Sequence, residues 1–291
     1  MTKLVDKVEH TKKQKAHPFI KWAGGKSRIV GDIKQFFPKD FNLYFEPFLG
    51  SAALYFAVSP RKGRLNDLNS ALIDTYKVVR DDVESLIIEL TKVQSEYYGL
   101  ANIDFKREYY LDRRAEFNTI SMPSSTRKSA LFIFLNKTGF NGMYRENKSG
   151  QYNIPFGKHN NPLICDAINL RTVSSDLHEI DLTSTSYKEA IKNAKSGDLV
   201  YLDPPYYPLT GTSKFTEYQA GGFTVDDQVE LSGIFRELNT KGCYVVMSNS
   251  SCKEVRQLYS DFSISEIDVA RAINSKVGKR GKVKELVIKN F

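Results

Sequence analysis

The sequence predicts an α/β protein: a doubly wound, mainly parallel sheet interrupted by an inserted, mainly helical segment. Three observations carry this. Strand and helix signals alternate from about residue 43 to residue 79. Between residues 80 and 165 the strand signal fades, and helix signals give way to a stretch rich in Asn, Gly and aromatic residues. Beyond residue 166 the alternation returns around Asp198-Leu199-Val200-Tyr201-Leu202, whose last four positions are all apolar. Such a run suits a strand buried on both faces, and alternation on both sides of an insertion implies a doubly wound sheet.

The elements follow in chain order. Met1 to Ala16 are polar and lysine-rich and are expected to form a disordered basic tail. Leu43 to Phe48 reads as a short strand ending in a turn at Gly50, and Ser51-Ala52-Ala53-Leu54 opens a helix. Arg64 to Asp67 reads as the end of a second strand, followed by a helix over about Ser70 to Val79. In the insertion, a hairpin is expected from Tyr144 to Ile154, with Asn147-Lys148-Ser149-Gly150 as its turn. After the apolar strand come a helix over about Asp226 to Asn239, a strand from Gly242 to Ser248 and a helix over Lys253 to Tyr259. Ser263 to Val269 and Lys284 to Phe291 close the sheet. The sheet domain is thus 17–79 plus 166–291, and the insertion is 80–165.

Composition narrows the function classes. The chain has 291 residues, 41% of them hydrophobic and 26% charged, which suits one sizeable α/β domain with an insertion. No apolar run reaches the length of a membrane span, so a soluble, cytoplasmic protein without membrane contact is expected. The three cysteines (Cys165, Cys243, Cys252) form no CxxC pair and the four histidines show no ligand spacing, so no metal site is expected. The net charge of +8 favours a polyanionic partner. Between Phe105 and Lys158 ten Lys/Arg stand against four Asp/Glu, which marks the insertion as its basic recognition surface.

Three motifs carry chemistry. Asp203-Pro204-Pro205-Tyr206 directly follows the apolar strand, at the carboxyl end where α/β sheets bind ligands. An exocyclic adenine amine is a poor nucleophile, because its lone pair is delocalised into the ring. The Asp203 carboxylate and the Pro204 carbonyl form an acceptor pair that could draw the nitrogen toward a tetrahedral, more nucleophilic state. Two prolines fix φ and remove N–H donors, so the site presents acceptors in a rigid arrangement. Tyr206 offers a flat face for an extruded base. The bland alternative is a proline-rich strand exit with a buried aspartate.

Glu46-Pro47-Phe48-Leu49-Gly50-Ser51 forms a strand, glycine turn and helix start, which lets backbone approach a nucleotide-like ligand. Asp67 lies 17 residues after Gly50, close to the spacing at which an acidic residue meets ribose hydroxyls. A plain turn and an unrelated aspartate explain these residues equally well. Lys21-Trp22-Ala23-Gly24-Gly25-Lys26-Ser27 superficially suggests a phosphate loop, but the GxxxxGK[ST] spacing is absent. The only tryptophan of the chain, beside a glycine loop and Lys26, suits an adenine-stacking, carboxylate-binding pocket, with a plain core tryptophan as the alternative.

Together these motifs resemble the Dam family of adenine-N6 DNA methyltransferases, in its class α order, over nearly the whole chain from His17. The likeness is greatest to the Dam and DpnM-type enzymes that methylate adenine in GATC. Asn66-Asp67-Leu68-Asn69, Phe140 to Arg145, Tyr152 to Gly157, Tyr207 to Thr210 and Met247 to Ser250 also match. The resemblance implies a Rossmann-like methyltransferase sheet in the catalytic domain, with the insertion as a DNA target-recognition domain. It implies S-adenosylmethionine as methyl donor, held by Trp22, Lys26, Phe48, Gly50, Asp67 and Asp203, and no metal. Asp203, Pro204, Pro205 and Tyr206 would be the catalytic motif. Arg145 matches an arginine that reads guanine in the major groove. Phe140 matches an aromatic wedge, Met143 and Pro155 match contacts to a thymine methyl, and Lys21 matches a lysine that reaches a base. Asn141 and Lys158 complete the implied contacts to double-stranded DNA. Ala52 stands where the family often has a second glycine, Phe140 replaces a frequent tyrosine, and His159 stands where an aromatic is common.

The resemblance further implies a bacterial or phage-encoded monomer acting on DNA, with a cognate restriction endonuclease as a candidate partner. Three rival readings remain: the same fold acting on another DNA site, on RNA adenine or a protein amide, or a non-catalytic DNA-binding relative. Pro208 to Phe223 is expected to be a mobile loop beside the active site, or else a plain surface loop. Arg271 to Lys284, with six basic and no acidic residues, is expected to contact phosphates or to be a solvated turn.

Overall fold

The computed structural model describes residues 15–207, 223–270 and 282–291. Among these, seven strands form one sheet: β1 (Tyr44–Glu46), β2 (Gly63–Asn66), β3 (Ile180–Thr183), β4 (Leu199–Leu202), β5 (Tyr244–Ser250), β6 (Ser263–Ala270) and β7 (Lys282–Lys289). Their order is β3-β2-β1-β4-β5-β7-β6. β1 lies parallel to both β2 and β4, pairing Phe45 with Arg64 and with Val200. Only β7 runs antiparallel to its neighbours, with Ile288 opposite Met247 and Val287 opposite Ser265. Strand order reverses between β1 and β4, which is where an open α/β sheet leaves a crevice at its carboxyl edge.

Alternate residues of each strand enter two different cores, as the twofold side-chain period requires. Tyr44, Leu65, Leu199, Tyr201, Val246 and Val287 face one side. Phe45, Val200, Leu202, Val245, Met247, Leu286 and Ile288 face the other. The second face is covered by α8 (Tyr187–Ile191), α9 (Val225–Thr240) and α10 (Lys253–Leu258), through Ile191, Leu231, Phe235 and Val255. The first is covered by α1 (Val30–Lys34), α2 (Ala53–Val58), α3 (Ser70–Asp81) and α7 (Ala167–Leu177), through Ile33, Leu54, Tyr76 and Val173. Among the described residues, no helix is long and apolar enough to cross a membrane.

The middle of the chain forms α4 (Val83–Tyr98), α5 (Ile103–Thr119) and α6 (Thr126–Thr138). α6 packs against α3, α4 and α5 and buries every residue from Ser129 to Asn136, so its middle is buried all round and not amphipathic. Tyr97, Tyr110 and Phe134 join the same continuous core as Tyr76 and Tyr201. The helical segment therefore shares its core with one face of the sheet. α3 runs through the expected boundary at residue 79 to Asp81, because Val78 and Val79 continue its buried stripe.

One expected boundary moves, the expected hairpin is found in short form, and one strand is new. The first packed residue is Ala16, at 4% exposure, so the chain joins the fold before His17, and Lys15 Nζ donates to the Ala57 carbonyl at 3.0 Å. The rest of the expected tail, residues 1–14, lies outside the described residues. The expected hairpin is present in short form: Glu146 and Tyr152 form an antiparallel bridge, Asn147 N donates to Gln151 O at 2.9 Å and Asn153 N to Arg145 O at 3.0 Å, and the turn closes with Gly150 N donating to Asn147 O at 3.0 Å. β3 had no counterpart in the sequence reading: Ile-Asp-Leu-Thr is a four-residue edge strand that buries only alternate positions. The expected loop at 208–222 and the basic run at 271–281 lie outside the described residues.

Candidate active site

Both glycine-bearing turns converge on the switch point. β1 runs into Pro47 to Gly50, and Gly50 sits at φ +50. A Cβ there would stand 2.7 Å from Trp22 Cδ1, so the absence of a side chain lets the indole lie against the turn. Gly50 N donates to Asp67 Oδ2 at 3.0 Å, and Asn69 N donates to Asp67 Oδ1 at 3.0 Å. Asp67 thus holds the β1 turn against the end of β2, where burial pushes its pKa up against the pull of these two amides. Asn66 Nδ2 adds a bond to the Pro47 carbonyl at 3.1 Å. Ala52 follows at φ +57, a left-handed conformation that explains why glycine is common there.

β4 delivers Asp203 beside Lys26, with Nζ to Oδ1 at 2.8 Å. The same ammonium donates to the Gly24 carbonyl at 2.8 Å and lies 4.7 Å from the centre of the Tyr206 ring. Lys26 is 5% exposed, and the Asp203 side chain is partly open to solvent at 17%. Burial raises the Asp203 pKa, Lys26 opposes it, and Glu285 adds to the rise. Pro204 is buried and Pro205 exposed. The Tyr206 hydroxyl donates to Glu285 Oε2 at 2.6 Å, and burial with the Asp203 and Glu285 carboxylates keeps it protonated.

Glu46, at the end of β1, is 3% exposed and accepts from the Tyr44 hydroxyl at 2.8 Å. Burial, reinforced by Asp203 and opposed by Tyr44 and Lys26, raises its pKa from 4.5 to about 8. Phe48 points to the other face, stacked on Tyr187 at 5.2 Å and edge-on to Phe223 at 6.1 Å.

A second group of side chains adjoins the first through Trp22 and Lys21. Trp22 stacks with Phe132 of α6 and with Tyr144, at 6.4 and 5.9 Å. Asn136 of α6 is buried and clamps two loops: Oδ1 accepts from Lys21 N at 2.8 Å, and Nδ2 donates to Lys21 O at 2.8 Å and Gly142 O at 2.9 Å. Gly142 lies so close that a Cβ would stand 2.7 Å from the Lys21 side chain. The turn Phe140–Gly142 leaves Phe140 47% exposed, with Asn141 at φ +54. Phe140 N donates to the Pro155 carbonyl at 2.9 Å, and Pro155 itself faces solvent. Arg145 Nε donates to Asn153 Oδ1 at 2.7 Å, which aims its guanidinium. Met143 is half-buried, with its carbonyl accepting from the Tyr152 hydroxyl at 3.3 Å. Lys158 is exposed at φ +56. Lys21, Phe140, Asn141, Met143, Arg145, Pro155 and Lys158 therefore belong to one linked set of turns.

Several side chains of the site escaped the sequence reading. Glu285, Gln228, Asn249, Asn136 and Tyr144 touch the predicted residues. Asn249 stood within a quoted motif, and a polar residue ending the apolar run Tyr244 to Met247 was a usable signal. Gln228 and Glu285 carried none, because only tertiary pairing brings α9 and β7 to the site.

The chain is similar to known proteins along nearly its whole length. The profile of the D12 class N6 adenine-specific DNA methyltransferases matches residues 22–273. The Type II methyltransferase M1.LlaDCHI of Lactococcus lactis subsp. cremoris is 39% identical over 278 residues, 94% of this chain and 95% of that protein. The Type II methyltransferase M.MjaIII of Methanocaldococcus jannaschii is 37% identical over 286 residues, 94% of this chain and 99% of its own. The DNA adenine methylase of Escherichia coli (strain K12) is 33% identical over 274 residues, covering 94% of this chain and 95% of that enzyme. On this match the chain belongs to the D12 class of N6 adenine-specific DNA methyltransferases.

Proposed function

We propose that the protein transfers the methyl group of S-adenosylmethionine to an adenine flipped out of double-stranded DNA, within GATC. The observation that carries this is the Lys26–Asp203 pair, with its buried ammonium beside the Tyr206 ring, at the switch point. The residues present fit the cofactor. Two opposite charges side by side, the ammonium buried and the carboxylate partly open, match the zwitterionic end of a methionine. Trp22 lies on a glycine turn that a Cβ would block. Lys26 and Asp203 would hold the methionyl end, Asp67 the ribose and Trp22 the adenine, with Phe48 lying against the cofactor from the other face of the sheet. When bound, the cofactor supplies an electrophilic sulfonium methyl group.

The protein's own part is positioning and charge. Asp203 and the Pro204 carbonyl accept from the target amine and favour its tetrahedral form. Tyr206 stacks the base. Flipping costs a few kcal/mol, offset by these contacts. The linked turns carrying Lys21, Phe140, Asn141, Met143, Arg145, Pro155 and Lys158 form the DNA-reading surface, and residues 80–165 act as the recognition domain. GATC rests on the likeness of these turns to the enzymes that methylate it. Expression in a bacterial host without adenine methylation tests the site. Its DNA should then be cut by an endonuclease that cleaves only methylated GATC. Methyladenine mapped elsewhere, with GATC untouched, would refute the site and leave the chemistry.

A further inference from the structure

Tyr206 is gripped by side chains from three separate elements. Gln228, on α9, is 1% exposed, and its Nε2 donates to the Pro205 carbonyl at 2.8 Å. Asn249, on β5, is fully buried; its Oδ1 accepts from the Tyr207 amide at 3.4 Å, and its Nδ2 donates to Gln228 Oε1 at 3.1 Å. The Pro205 carbonyl and the Tyr207 amide belong to the two peptide units that flank Tyr206. At the far end of the ring, Glu285 on β7 accepts from the hydroxyl at 2.6 Å. Asn249 Oδ1 also accepts from Ser250 N at 2.8 Å, so both ends of each buried amide are engaged. Burying two primary amides is unfavourable unless their groups are bonded, and a fully bonded relay is rigid. This relay ends on the backbone of the residue read above as the base platform.

We propose that Gln228, Asn249 and Glu285 are positioning residues that fix the Tyr206 ring in the orientation needed to stack the target adenine. The inference rests on the stacking reading of Tyr206. A tyrosine ring has two soft torsions and a mobile backbone. The relay fixes the backbone on both sides, and Glu285 fixes the hydroxyl. Misplacement by about 1 Å in such a site costs on the order of 100-fold in rate.

The test measures kcat for transfer from tritiated S-adenosylmethionine to unmethylated genomic DNA by the full chain, so that no particular site is assumed. Tyr206→Ala, Gln228→Met and Glu285→Leu should each lower kcat roughly 10-fold or more. The melting temperature and the KM for S-adenosylmethionine should stay close to wild type. Glu285→Gln should recover most of the rate, because its amide oxygen still accepts from the hydroxyl. Tyr206→Phe combined with Glu285→Leu should be no slower than either alone, since both remove one bond. Should Gln228→Met melt early, the half-buried Glu285 carries the test. A slow Tyr206→Ala with Glu285→Leu at the wild-type rate would overturn the positioning role and leave the stacking reading standing. Tyr206→Ala at the wild-type rate would overturn both.

Discussion

Glu46 lies within electrostatic reach of both Asp203 and Lys26, and its burial makes its charge depend on the fold. Its pKa rises from 4.5 to about 8, so the folded state holds a proton that the unfolded chain releases. Stability from this group is fully present below the unfolded value and is lost as pH rises from about 4.5 to about 8. Glu46→Gln should therefore flatten the pH dependence of the melting temperature of the cofactor-free protein over that range. An unchanged slope would show that Glu46 is not the group responsible. At residue scale much of the site was legible. Lys26, Gly50, Asp67, Asp203 and Tyr206 fell within short motifs whose residue types match the chemistry, and the structure gathers them at one edge. The role of Asp67 was only half visible. Its two oxygens take backbone amides of two turns, a contact that spacing along the chain cannot show.

At the scale of elements, α6 connects the proposed cofactor side to the proposed DNA-reading side. Asn136 bonds the loop at Lys21 to the turn at Gly142, and Trp22 stacks on Tyr144 from the same stretch. Asn136→Ala leaves a backbone amide and two carbonyls without their partner, a loss of about 1–3 kcal/mol in stability. Because one side chain holds both loops, the variant should bind S-adenosylmethionine and DNA more weakly together. The lone Trp22 reports the first by fluorescence and a filter assay the second. A loss confined to DNA would contradict the coupling. β4 was readable because four apolar residues in a row fit a strand buried on both faces. β3 was not, because four residues at a sheet edge carry too little periodicity. α6, in turn, presents Leu-Phe-Ile-Phe-Leu without amphipathic spacing, because α3, α4 and α5 pack around it.

For the whole molecule, the basic surplus of the insertion overstates its DNA-facing charge. Lys106, Arg114 and Lys128 donate to main-chain carbonyls, and Arg127 forks onto Glu116. These four serve the fold, as does Arg113 paired with Glu116, so the surplus on the turns proposed to meet DNA comes down to Arg145, Lys148 and Lys158. Composition could show the sign of the partner but not which charges were already engaged. The shared core between the helices and one sheet face was likewise invisible, since domain boundaries were read from changes in pattern. The central claim joins chemistry and site in one molecule. It is tested most directly by tritiated methyl transfer from S-adenosylmethionine to two matched unmethylated duplexes, one with a single GATC and one with that site scrambled. The account predicts incorporation into the first alone, abolished by Asp203→Ala. Equal incorporation into both duplexes, or undiminished transfer by Asp203→Ala, would contradict it.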